Sequence, residues 1–171
     1  MCFAFKSCAE SNIESLVQWC AGPMVHVEII PENKDVMFTS YMFENFSMNK
    51  FNKYNPDHFK VLRVDLSYNE YDEMIKHLVD FVEKKIPYNY TDIIRLGTSM
   101  FLSDEDDYES VNDIKTIFCS QAATFILKSC LSETHPLTER IKFTNSRFTT
   151  PTELFHLMSP ICQTVDNMYI K

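Results

Sequence analysis

Ile117-Phe118-Cys119-Ser120-Gln121-Ala122-Ala123 reads as a strand or turn that hands one cysteine to the first turn of a helix. The helix is predicted over Cys119 to Cys130, with Ala122, Ala123, Ile126 and Cys130 on the face that Cys119 starts. A helix N-terminus gathers unpaired backbone N–H groups and the positive end of the macrodipole, which favours a thiolate there. The thiolate is the nucleophilic form of the side chain. A buried cysteine capping a core helix is the structural alternative, since free cysteine is among the most buried residue types.

Upstream, Val25-His26-Val27-Glu28-Ile29 is a short strand-like run with one histidine. A cysteine and a distant histidine are the minimum inventory for thiol nucleophilic catalysis. The strand should run from Val25 to Ile30, turn at Pro31-Glu32-Asn33-Lys34 and return over Asp35 to Tyr41 as a hairpin. In such a hairpin position 26 falls opposite roughly position 39, so Thr39 can accept from the imidazole. With a one-residue slip Ser40 takes that place. Glu28, two residues along on the same face as His26, is the third candidate, and is otherwise a solvated edge residue. A hydroxyl polarises an imidazolium less than a carboxylate does. A core histidine bonded to a backbone carbonyl is the alternative for His26.

The remaining elements follow from caps and periodicity. A short helix is predicted over Ser11 to Trp19 and stops at Gly22-Pro23. Phe46 to Phe51 reads as a third strand, and Phe59 to Leu66 alternates with Leu62, Val64 and Leu66 on one face. Ser67-Tyr68-Asn69-Glu70 is a capping box, and the helix after it carries apolar residues at helical spacing to about Lys85. Ile93 to Phe101 is predicted as a short helix and Glu139 to Phe143 as a closing strand. Thr150-Pro151-Thr152-Glu153 caps a final helix. The fold class expected is α+β, a small antiparallel sheet packed with helices, in a single domain over residues 1–171.

Totals narrow the function. At 171 residues, 45% hydrophobic, the chain can bury a real core. Its net charge of -8 argues against a general nucleic-acid or anionic-membrane surface. Six cysteines stand at 2, 8, 20, 119, 130 and 162 without C-x-x-C spacing, and the five histidines are scattered. No metal site or cofactor is therefore expected, and a redox or metal protein has no support from spacing. The first twenty residues contain Glu10 and Glu14 and no sustained apolar run, so they are not read as a signal peptide. No segment reaches the roughly 18 apolar residues of a membrane span. The expected location is cytoplasmic or host-intracellular rather than secreted. The acidic run Asp104-Glu105-Asp106-Asp107 reads as a solvated loop rather than a calcium site.

The order of these elements resembles the circularly permuted NlpC-type branch of the papain-like cysteine hydrolases, in which an early-strand histidine precedes a cysteine that opens a helix. Phe5 with Leu16-Val17-Gln18-Trp19 and Val25-His26-Val27-Glu28-Ile29 resembles that branch's opening helix and S-H-V-E-type strand, with Val25 at the serine position. Phe38-Thr39-Ser40 is similar to its small polar run, and Ile86-Pro87-Tyr88-Asn89-Tyr90 to its P-Y-D segment, with Asn89 for Asp. Phe118-Cys119-Ser120-Gln121 resembles F-C-S-E, with Gln121 for Glu, and Thr150-Pro151-Thr152-Glu153-Leu154-Phe155 resembles the late P-x-x-L-aromatic helix. A composition low in Gly and rich in Asn, Phe and Met suits a gene of a large DNA virus.

The resemblance implies a thiol hydrolase or acyltransferase that forms an acyl-enzyme on Cys119, with His26 as general base. It implies an amide, ester or thioester substrate: a peptide, a peptidoglycan amide, or a lipid acyl group as in lecithin retinol acyltransferase. Gln121 and Tyr88 are the candidate substrate contacts; an exposed helix glutamine and a core aromatic are their structural alternatives. The competing expectation is an inactive relative that binds a partner protein or an acyl chain.

Overall fold

A computed structural model describes residues 1–32, 35–41, 44–51, 57–91, 107–108 and 110–165. Strands β1 (Cys2–Lys6), β2 (His26–Ile30), β3 (Val36–Thr39), β4 (Ser47–Lys50), β5 (Phe59–Arg63) and β6 (Gln163–Thr164) form one antiparallel sheet in the order β4-β3-β2-β1-β5-β6. Among the described residues five helices accompany it: α1 (Asn12–Ala21), α2 (Tyr68–Glu83), α3 (Cys119–Cys130), α4 (Thr138–Ile141) and α5 (Pro151–Met158), with a 3-10 turn at Val111–Asp113. The architecture is thus mixed α+β, as expected. No helix among the described residues is long and apolar enough to cross a membrane.

The sheet's centre is a strand that alternation cannot reveal. Cys2-Phe3-Ala4-Phe5 is apolar at every position because both faces of β1 are covered. Phe3 and Phe5 join Ile29, Leu62, Met74, Leu78, Phe81 and Ile126 in the main core, where α2 and α3 lie. Cys2 and Ala4 join Ile30 and Val61 on the other face, beneath Met37, Phe51, Phe59 and Val165.

Local signals set the helix starts. Ser67 caps α2 in a reciprocal box with Glu70, whose second carboxylate oxygen reaches forward to accept from the Ser132 N–H at 2.9 Å. Thr150 caps α5 in the same way, with Pro151 at the first helical position. The expected strand over Glu139 to Phe143 is instead the helix α4. Leu137 and Ile141, both buried and four residues apart, present the apolar spacing of a helix, whereas Phe143 points to solvent. The expected helix over Ile93 to Phe101 lies outside the described residues, as do Asp104 to Asp106. Asp107 is not solvated loop: it accepts from the Lys128 ammonium and the Ser146 N–H, pinning its segment to α3.

Candidate active site

His26 opens β2, and three devices place it. Lys6 of β1 is its register partner. The preceding Met24 is held by the Thr152 hydroxyl of α5, which accepts from the Met24 N–H at 3.0 Å and donates back to its carbonyl at 3.4 Å. Gly22 makes the bend that allows this, with φ 91° and a virtual Cβ only 2.8 Å from Thr152 Cγ2 and Oγ1.

Cys119 is the first residue of α3. Phe118 sits at the cap position and supplies no side-chain cap. Its N–H is satisfied from inside the helix by Gln121 Oε1 at 3.0 Å. The chain reaches Cys119 through Ile117, bridged in parallel to Tyr88, with its N–H on the Pro87 carbonyl at 2.9 Å. The Ile117 carbonyl accepts from the Asn89 N–H at 3.2 Å and the Ser40 hydroxyl at 3.0 Å. The thiol is therefore tied to the end of β3 and to residues 87–89 through the residue two before it.

The hairpin and the helix bring Cys119 and His26 close enough for the charge of the thiol to act on the imidazole. On the imidazole, Nε2 lies 2.7 Å from Thr39 Oγ1, which leaves Nδ1 as the nitrogen open to the thiol. When the ring is protonated, Nε2–H donates to the Thr39 oxygen. Glu28 Oε1 stands 3.8 Å from the same nitrogen and accepts from the Tyr41 phenol. The Tyr41 ring is stacked on the imidazole at 4.9 Å between centroids and 17° between planes.

Electrostatics follow from this packing. Burial pushes the His26 pKa down, but the Cys119 charge and hydrogen bond, with the Glu28 charge, more than offset it and the net shift is upward. Lys6 opposes the rise, with its charge engaged by Glu10 at 2.8 Å and Glu14 at 2.9 Å. Burial, then the charge and bond of Glu28, push the Tyr41 phenol up. Burial and the Cys119 charge do the same to half-buried Tyr88. Burial lifts the Cys130 and Cys162 thiols to about 12 and about 11, with neighbouring carboxylates adding to it.

Several expected placements change. The pairing Ile29↔Phe38 is displaced by two residues from the expected opposition of 26 and 39. A two-residue shift keeps every side chain on its face, so Thr39 still reaches the ring. Ser40 does not, because its hydroxyl points to the other side and holds Ile117. Glu28 is no solvated edge residue but is 2% exposed. Gln121 is no exposed helix glutamine but is fully buried and clamps three segments: besides Phe118 it accepts from Asn89 Nδ2 at 3.2 Å and donates to the Arg147 carbonyl at 2.6 Å. His77 packs against Phe125, and His135 takes the Leu137 N–H and the Asp65 carbonyl.

Tyr41, Asn89 and Lys6 had no place in the expected site. Period-two alternation was the available signal for Tyr41, since it puts residues 39 and 41 on the face shared by 26 and 28. Among the described residues no group of His, Cys, Asp and Glu is arranged to hold a metal ion, and Cys2, Cys8, Cys119, Cys130 and Cys162 are free thiols. Comparison of the chain with protein-family models, with curated proteins and with solved structures found no match.

Proposed function

We propose that the chain is a thiol hydrolase or acyltransferase of the permuted papain-like kind, acting through an acyl-enzyme on Cys119. The observation that carries the reading is a thiol opening a helix near an imidazole that feels its charge and whose Nε2 is fixed by Thr39 at 2.7 Å. A nucleophile, a base within reach and a group that orients the base are what this chemistry requires.

In the first half-reaction the Cys119 proton passes to His26 and the sulfur attacks the carbonyl carbon of an amide, ester or thioester. The oxyanion forms near the first N–H groups of α3, which helix geometry leaves without intrahelical partners. As the tetrahedral adduct collapses, the imidazolium gives its proton to the departing amine, alkoxide or thiolate, and a thioester on Cys119 remains. In the second half His26 removes a proton from water or from an acceptor nucleophile, which attacks the thioester and restores the thiol. Water gives hydrolysis and any other acceptor gives transfer. Peptide, lipid and protein-linked acyl groups are all substrates of this class. The free thiols fit a reducing compartment.

One observation favours a second reading. Cys119 is 5% and His26 8% exposed, as in a fold kept to bind a partner rather than to turn over a substrate. Iodoacetamide alkylation, followed at each cysteine by mass spectrometry for wild type and His26→Ala, separates the two. The catalytic reading expects Cys119 to react at pH 7 at least about tenfold faster than Cys130 and Cys162, and to slow by a similar factor in the variant. A Cys119 slower than half-buried Cys8 and indifferent to His26 overturns it in favour of the binding module.

A further inference from the structure

His26 has more polar company than an orienting hydroxyl alone provides. Thr39 takes Nε2 directly, while Glu28 stands 3.8 Å from that nitrogen, too far for a hydrogen bond and close enough to favour a positive ring. The carboxylate does not close the gap because its Oε1 is engaged by the Tyr41 phenol. The same tyrosine covers one face of the imidazole with its ring, nearly parallel to it. Glu28 is almost wholly buried, so solvent does little to screen its charge.

We infer that Tyr41 is a positioning residue for His26: its ring fixes the plane of the imidazole, and its phenol pins Glu28 where the carboxylate charges that ring without displacing Thr39. The inference rests on the reading of Cys119 and His26 as the reacting pair. Under it, orientation and charge, which one carboxylate would otherwise supply together, are divided. Thr39 gives direction, Glu28 gives charge, and Tyr41 keeps the second from overriding the first. The upward shift of His26, to which Glu28 contributes, agrees with this division. The other groups facing His26 are Lys6 from β1, Glu14 from α1 and Cys119 from α3. Lys6 and Glu14 are bonded to each other, so their charges largely offset.

The test combines titration of the His26 ring by NMR with the pH profile of Cys119 alkylation in Glu28→Gln, Tyr41→Phe and the double variant. Glu28→Gln should lower the His26 midpoint and slow alkylation at pH 7 about tenfold. Tyr41→Phe keeps the stacked ring but frees Glu28 to close on Nε2, so the His26 midpoint should rise, while alkylation at pH 7 slows about threefold as the ring leaves the direction Thr39 sets. Because the phenol acts through Glu28, the double variant should match Glu28→Gln within about twofold. An unchanged or lowered midpoint in Tyr41→Phe, or a double variant that departs from Glu28→Gln by more than about twofold, overturns the inference. Should Tyr41→Phe fail to fold, an unchanged midpoint in Glu28→Gln overturns it alone. Failure of the Cys–His reading shows separately, as indifference of Cys119 to His26→Ala.

Discussion

Replacing Gln121 tests whether a buried carboxamide, rather than apolar packing, sets the start of the Cys119 helix. Gln121→Leu changes volume little but removes three hydrogen bonds: from the Phe118 N–H at 3.0 Å, from Asn89 Nδ2 at 3.2 Å and to the Arg147 carbonyl at 2.6 Å. A buried hydrogen bond lost from one side costs about 1–3 kcal/mol, so the three together should cost about 3–9 kcal/mol. That is a large share of the roughly 5–15 kcal/mol that holds a domain together. Gln121→Glu is subtler. Its carboxylate can still accept from Phe118 and Asn89, but it meets the Arg147 carbonyl where a donor stood. The cost should be about 2–3 kcal/mol at neutral pH. It should shrink as pH falls below about 6 and be gone by about pH 4.3, because the cost raises the folded-state pKa of the introduced carboxyl about two units and protonation there restores a donor. Urea unfolding measures both, as a lowered midpoint at unchanged slope. A Gln121→Leu variant within about 1 kcal/mol of wild type would refute the reasoning.

Gly22→Ala must place a methyl 2.8 Å from Thr152 at a φ of 91°, and should lower Tm by about 4–8 °C. Thr152→Ser in that background should recover part of the loss by removing Cγ2, and an unchanged Tm in Gly22→Ala would contradict the account. Glu70 tests linkage: burial raises its pKa, but hydrogen bonds from Ser132 and Ser67 outweigh this and hold it at about 2, against 4.5 unperturbed. Its contribution is therefore present above pH 4.5 and lost as pH falls toward 2, so the urea midpoint of wild type should fall more steeply there than that of Glu70→Gln. Parallel acid profiles would rule this out. Ser40→Ala should cost about 1 kcal/mol through Ile117 yet leave the NMR midpoint of His26 unmoved. A shifted midpoint would mean that Ser40, not Thr39, serves the imidazole.

Elements whose cause is local were legible in the sequence. Capping boxes at Ser67 and Thr150 and the strand-to-helix hand-off at Cys119 each depend on residues within four positions. What depends on distant cover was not legible. The central strand β1 carries no alternation because chain more than fifty residues away covers and pairs with it. Glu28 and Gln121 read as surface residues by type, and are interior because Tyr41, Asn89 and Arg147 arrive from elsewhere to bond them. The site was half legible for the same reason. Alternation survives a two-residue change of register, which is why Thr39 was within reach of inference and Ser40 was separable only by direction.

The sheet order also dictates a sequence of events in time. Of these six strands the earliest along the chain, β1, ends up in the middle, and cannot complete its ladder until β5 has been synthesised. Translation at about 5–20 residues per second puts roughly 3–11 s between the emergence of β1 and that of β5. Through that interval the apolar edge of β1 awaits its partner. Closing so distant a contact is slow by nature. Substitutions at the β1–β5 seam, such as at Ala4 or Val61, should therefore show up in the yield of soluble protein before they show up in the melting of whatever has folded.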